Sequence, residues 1–166
     1  MLGKRGKVHQ LNILRNESCL ACDLRKSSHN VCIMGKGPVM SKVMLVGEAP
    51  GAAEEKGGKP FMGPSGKLLT RLLGECDLSD NVYVTNPVKC RPPKNRKPSP
   101  QELETCTTLY FRRELVIVKP KIVVCLGVTA AQAVMQVDDP PKNLRHQLYA
   151  WNNPEVYRHS FLIMYT

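Results

Sequence analysis

Glu48, Glu54 and Glu55 stand in the stretch GEAPGAAEEKGGKPFMGPSG, Gly47 to Gly66, directly after the apolar run Val43-Met44-Leu45-Val46. No ordinary structural segment needs so many glycines and carboxylates together. It reads as an active-site loop opening from the carboxyl end of a strand, where open α/β sheets bind their ligands. A second group able to do chemistry is sulfur. Cys19 and Cys22 form a C-x-x-C pair, a spacing that lets two thiolates from one turn reach a common centre. Cys90 and Cys106, separated by the fifteen residues RPPKNRKPSPQELET, can add two more thiolates if the N-terminal segment packs beside that loop. Four thiolates suit zinc or an iron-sulfur cluster. The wide second pair tilts the choice toward a cluster, and spacing does not separate the two.

The elements that must hold these groups follow from hydrophobic periodicity. Val43–Gly47 reads as a first strand, Val82–Asn86 as a second, Lys121–Gly127 as a third and Phe161–Thr166 as a fourth. Between them, Ser65–Glu75 carries Leu68, Leu69, Leu72 and Leu73 as the stripe of a helix covering a sheet. Ser99-Pro100-Gln101-Glu102 is a capping box with proline at the first helical position. A helix should therefore begin at Pro100, carry Cys106 near its second turn and end at Pro120. Val8–Glu17 and Thr129–Val137 complete the set as short helices. Strand and helix alternate as in a parallel sheet with helices on both faces, an α/β architecture.

Composition limits the partner. The 166 residues are 42% hydrophobic, enough for one compact domain, and carry 24 Lys and Arg against 14 acidic residues, net +10. That balance suits a polyanion, nucleic acid first, although charge alone is also a means of solubility. No window has the length of a membrane span and the basic N-terminus lacks a signal-peptide core, so the expectation is a cytosolic, monomeric protein without a membrane partner. Thiols stay reduced there, which is why the seven cysteines read as ligands or small hydrophobes rather than disulfides. Cys32, Cys76 and Cys125 are isolated and read as hydrophobes.

Several motifs in order carry a family resemblance. Gly47-Glu48-Ala49-Pro50-Gly51 with Glu54, Lys59-Pro60-Phe61-Met62-Gly63, Thr85-Asn86-Pro87-Val88-Lys89-Cys90-Arg91-Pro92-Pro93 and Cys125-Leu126-Gly127 resemble the iron-sulfur uracil-DNA glycosylases called family four. The resemblance runs from Cys19 to the last residue. It implies a three-layer α/β/α sandwich around a central four-stranded parallel sheet, and a structural [4Fe-4S] cluster on Cys19, Cys22, Cys90 and Cys106. Residues 1–40 would form the N-terminal cluster-binding segment of a single domain, 1–166. It also implies hydrolysis of the bond between uracil and deoxyribose in DNA, releasing uracil and leaving an abasic site.

That chemistry explains the residue types. A flipped nucleotide needs stacking and an edge-reading group, which Phe61 and Asn86 would supply, the Asn86 amide offering donor and acceptor together to one pyrimidine edge. Without the motif, Phe61 would read as a loop anchor and Asn86 as a turn former. An oxocarbenium-like sugar calls for a carboxylate. Glu48 is the candidate for water or cation and Glu54 for positioning, with Glu55 read as solvated surface. Backbone N–H groups from Ala49 to Gly51 would contact the departing base, glycine allowing the approach. Arg91, Lys94, Arg96 and Lys97, crowded among four prolines between Cys90 and Cys106, suit phosphate contact, against the alternative of a solvated charge run.

One departure from the pattern stands out. The strand matching Phe161–Thr166 runs, in the family, into a His-Pro-Ser loop; this chain stops at Thr166, and neither His146 nor His159 matches that histidine. The expectation is a fragment or a degenerate relative. Two rival functions follow, a non-catalytic glycosylase-like DNA-binding module of a larger replication or repair protein, and a zinc-stabilised nucleotide-binding domain. The second is disfavoured by the absence of a P-loop pattern and by glutamates that would repel phosphate.

Overall fold

A computed structural model describes residues 3–137, 140, 146–152 and 161–166; His159 lies outside them. The helices are α1 (Lys4–Leu14), α2 (Leu24–Ser27), α3 (Ala52–Gly57), α4 (Pro64–Glu75), α5 (Pro100–Cys106), α6 (Arg112–Val118) and α7 (Val128–Met135). The strands are β1 (Val43–Val46), β2 (Val82–Thr85), β3 (Ile122–Cys125), β4 (Leu148–Trp151) and β5 (Phe161–Tyr165). They form one sheet in the order β2-β1-β3-β5-β4. β2, β1, β3 and β5 are parallel, with Val46 paired to Thr85 on one side and to Cys125 on the other. The four expected strands are all present. β4 is an antiparallel addition at the edge, with Leu148 opposite Met164.

Alternation along the strands sorts side chains to two faces. Met44, Val46, Tyr83, Val123, Cys125 and Ile163 point to a core closed by Phe111 beside α6, by Leu115 and Val118 of α6, by Ala130, Ala131 and Val134 of α7, and by Leu11 of α1. Leu45, Val82 and Val84 point to the other face, where Leu69 and Leu73 of α4 pack with Val124. Each fully buried Leu, Val or Phe contributes roughly 1.5–3 kcal/mol, so the first, larger core dominates. Cys125 is wholly buried within it, as its apolar surroundings suggest.

Some expectations change. The leucine stripe of α4 is split: Leu69 and Leu73 pack on the sheet, whereas Leu68 and Leu72 are 48% and 45% exposed. A helix lying on a sheet buries a narrower arc than a four-leucine stripe covers. The loop after β1 is not wholly irregular, because α3 forms inside it. α1 starts earlier than read, at Lys4, and ends by Leu14. The helix from Pro100 begins with the expected reciprocal cap, the Glu102 N–H donating to Ser99 Oγ and the Ser99 N–H to Glu102 Oε2. It passes through a π turn, Thr107–Phe111, and stops at Val118, before Lys119 turns left-handed at φ 57.

Candidate active site

β1 lies between β2 and β3, so the chain leaves it toward β2 and returns past it to β3. The crevice at the carboxyl ends of β1 and β3 is therefore a topological switch point, where such sheets bind ligands. A cleft of about 620 Å³ opens there, lined among others by Glu48, Gly51, Glu54, Phe61, Asn86 and Arg96. A more open groove of about 1070 Å³ runs along α1 and α6, under Ile13, Leu20 and Val116, away from these residues. Its polar lining includes Arg15, Asn16, Arg112 and Arg113.

Gly47 lies where β1 opens into the cleft. Its N–H donates to the Thr85 carbonyl at 2.9 Å, tying the end of β1 to the end of β2. A Cβ on Gly47 would lie 2.5 Å from Asn86 Oδ1 and 2.8 Å from Phe61 Cζ, so the amide and the ring edge come together over a position with no side chain. Asn86 is 4% exposed, and among the described residues no protein group takes up its side-chain amide. Phe61 is held in a left-handed conformation, φ 55, with the first turn of α4 against its backbone: a Cβ on Gly66 would lie 2.2 Å from its carbonyl. One part of its ring packs on Leu45, Val82 and Val84 and the rest borders the cleft.

The glutamates separate into distinct environments. Glu54 Oε1 accepts from the N–H groups of Met62 at 2.7 Å and Gly63 at 2.8 Å, and Oε2 from Gly51 at 3.0 Å, closing the N-terminus of α3. Burial acts to raise this carboxyl, but the backbone hydrogen bonds from Gly63, its own amide, Met62 and Gly51 together outweigh it and hold the group below its ordinary value. Glu48 is exposed on the rim, and its Oε2 accepts from Thr129 Oγ1 at 2.7 Å. Glu55 is not solvated surface: it is 7% exposed, accepts from the His29 N–H at 3.1 Å and pairs with Arg91 at 2.9 Å. Folding brings the 28–30 segment over α3, a contact invisible in local sequence.

The basic loop is also partly committed. Arg91 spans Glu55 and Asn95, and Arg96 makes a two-point pair with Glu102 at 2.7 and 2.8 Å. Lys94 and Lys97 are exposed on the same loop. Two left-handed residues, Lys94 and Asn95, turn it past the cleft.

Cys19, Cys22, Cys90 and Cys106 line one small cavity, together with Cys32, Lys89 and Tyr110. Cys22 lies just before α2 and Cys106 is the last residue of α5, so the cavity joins the N-terminal segment to the loop after β2. Among the described residues no three Cys, His, Asp or Glu side chains stand as ligands of one metal ion. Burial pushes the Cys22 and Cys106 thiols up, and that of Cys90 to about 11. An all-sulfur set gathered in a water-poor pocket suits a group that binds thiolates and releases their protons. Cys32 is in this pocket, accepting the Asn16 N–H at 3.3 Å, rather than in an ordinary core; Cys76 is exposed at the end of α4.

Beneath both sites lies a network that the sequence reading missed. Lys89 and Glu114 are fully buried; Glu114 also accepts from Tyr83, Thr85 and the Gly35 N–H. Its signal was present: Glu114 sits on the buried stripe of its helix with Tyr110, Phe111, Leu115 and Val118.

A doubly wound α/β sheet thus opens at its switch point into a cleft lined by a carboxylate and by an amide unclaimed among the described residues. Residues 34–165 match the Uracil DNA glycosylase superfamily, and the chain belongs to that family. It is 45% identical over 123 residues to a Type-4 uracil-DNA glycosylase of Archaeoglobus fulgidus, covering 74% of this chain and 61% of that protein. The Pyrobaculum aerophilum Type-4 enzyme is 41% identical over 132 residues, 79% of this chain and 64% of that protein. That of Saccharolobus solfataricus is 36% identical over 168 residues, 96% and 75%. The chain thus spans less than two thirds of the length of the first two. Among the described residues no helix is long and apolar enough to cross a membrane.

Proposed function

We propose that this chain takes deoxyuridine from DNA into the cleft and hydrolyses its N-glycosidic bond, releasing uracil and leaving an abasic site. The observation that carries the reading is the Asn86 amide, buried yet without a protein partner among the described residues, facing the Phe61 ring across Gly47. One Asn side chain offers a donor and an acceptor to the N–H and oxygen of the uracil edge, a pattern cytosine reverses. Phe61 stacks on the base and the Ala49 N–H approaches the departing ring, whereas Pro50 has no N–H and that of Gly51 is held by Glu54 Oε2.

Glu48 acts on the sugar side. Its carboxylate orients or deprotonates water and stabilises positive charge on deoxyribose. Glu54, saturated by backbone donors, holds the loop that presents Glu48. Lys94 and Lys97 contact phosphate, while Arg91 and Arg96 keep their loop in shape. Cys19, Cys22, Cys90 and Cys106 hold a [4Fe-4S] cluster, which ties residues 1–40 to the 90–106 loop as a structural group; zinc is the lesser fit. The working protein is a cytosolic monomer of one domain, acting on uracil-containing DNA without a membrane partner.

The test is single-turnover treatment of a uracil-containing oligonucleotide, with alkali to reveal abasic sites, beside Glu48→Ala and Asn86→Ala. Release by the parent chain that is lost in both variants supports the reading. Binding without release assigns a non-catalytic DNA-binding module instead. A colourless, zinc-containing preparation would overturn the cluster assignment.

A further inference from the structure

We infer that Thr129 is a positioning residue for Glu48, fixing the carboxylate across the switch-point crevice so that one oxygen faces the sugar. The inference rests on the glycosylase reading. Glu48 follows β1 by two residues and Thr129 lies in the first turn of α7, which follows β3; the two strand ends are joined where the Leu126 N–H donates to the Val46 carbonyl at 2.8 Å. From there the chains diverge, and the hydrogen bond from Thr129 Oγ1 to Glu48 Oε2, 2.7 Å across a separation of 81 residues, bridges the gap.

The two ends of this bond differ in burial. Glu48 is exposed on a loop, with Thr129 as the one hydrogen-bond partner of its carboxylate among the described residues. Thr129 is 3% exposed, on a helix whose Ala130, Ala131 and Val134 are wholly buried. Gly127, at φ +97, makes the turn that starts this helix, a conformation L side chains rarely adopt. A buried hydroxyl thus selects one orientation of an exposed carboxylate. It occupies Oε2 and leaves Oε1 for water or for the cationic sugar. Preorganisation of this kind acts on the charged state rather than on general DNA affinity.

The test needs no turnover. Affinity is measured for two duplexes, one carrying a protonated pyrrolidine in place of the damaged sugar and one carrying the neutral tetrahydrofuran analogue. The ratio of the two reports the carboxylate's interaction with positive charge. The parent chain should prefer the pyrrolidine. Thr129→Val, which keeps shape and removes the hydroxyl, should reduce that preference about tenfold with little change toward the neutral duplex. Thr129→Ser should retain it, and Thr129→Val should add nothing in a Glu48→Ala background.

An unchanged preference in Thr129→Val overturns the inference, as does an equal loss toward both duplexes or the same loss without Glu48. A parent chain that shows no preference and releases no uracil overturns the glycosylase reading, and the inference with it. Thermal unfolding of each variant is recorded alongside; a Thr129→Val chain that melts far below the parent assigns the hydroxyl to stability unless Thr129→Ser restores both melting and preference.

Discussion

The ammonium of Lys89 and the carboxylate of Glu114 lie 2.5 Å apart, with side chains 1% and 0% exposed. Lys89 Nζ also donates to Thr85 Oγ1 at 2.8 Å, and the Thr85 hydroxyl donates to Glu114 at 2.6 Å. The two ends of the 85–89 segment are thus pinned to one point on α6, and Asn86 is presented between them. The Lys89 main chain serves the other site, its N–H donating to Cys106 Sγ at 3.2 Å. One buried charge pair therefore underlies both the amide of the cleft and the wall of the cysteine cavity.

Removing one member of such a pair strands the other in a low dielectric, at a cost of about 3–5 kcal/mol. Lys89→Met should lower the urea midpoint accordingly. Adding Glu114→Gln, which keeps an acceptor but drops the stranded charge, should recover part of the loss. A Lys89→Met chain as stable as the parent would show that the pair contributes nothing.

Glu54 makes stability depend on acidity. Its folded-state carboxyl sits below the ordinary value of 4.5, so its contribution is present above that pH and is lost as pH falls through the lower folded value. Glu54→Gln should be less stable than the parent at neutral pH by roughly 1–3 kcal/mol. The gap should close on acidification below about pH 4.5, because the parent alone loses this group's contribution. Melting temperatures from pH 7 to pH 3 measure it, and parallel curves would refute the assignment. Taking the difference between the two proteins removes the similar effect of Glu102, whose carboxyl the Arg96 hydrogen bonds hold low.

Gly47→Ala should fold and lose the site. The added methyl would meet Asn86 Oδ1 and Phe61 Cζ, both ends of side chains that can move aside. Overpacking of this kind costs about 1–3 kcal/mol, whereas displacing Asn86 and Phe61, which read the base in the proposed function, should slow uracil release by about 10²-fold. Comparing melting with single-turnover rates separates the two effects, and a variant that releases uracil at the parent rate would place the base elsewhere.

Lys94→Ala and Lys97→Ala should each reduce the slope of log affinity against log salt by about 0.7–0.9, one phosphate contact apiece. Arg96→Ala should leave the slope nearly unchanged, because its guanidinium is engaged by Glu102 at two points. A slope that changes for Arg96 but not for the lysines would reverse these roles.

Much of this was legible in local sequence. Apolar runs, mostly β-branched in β2 and β3, located the strands β1, β2, β3 and β5, and Ser99 with Glu102 located the start of α5. The succession of short motifs pointed to the family before any distance was known. These features depend on residues a few positions apart, and such residues express their preferences wherever the chain goes.

What folding alone decided depends on distant partners. Leu68 and Leu72 look like core and are exposed; Glu55 looks like surface and is buried against Arg91; Arg96 looks free and is paired. Lys89 finds Glu114 across 25 residues and Thr129 finds Glu48 across 81. The sequence by itself determined which elements form and which residues can do chemistry. Only the tertiary structure decided which charges are already spent on one another and which face the cleft, because ionic and hydrogen-bond partnership is set by distance in space.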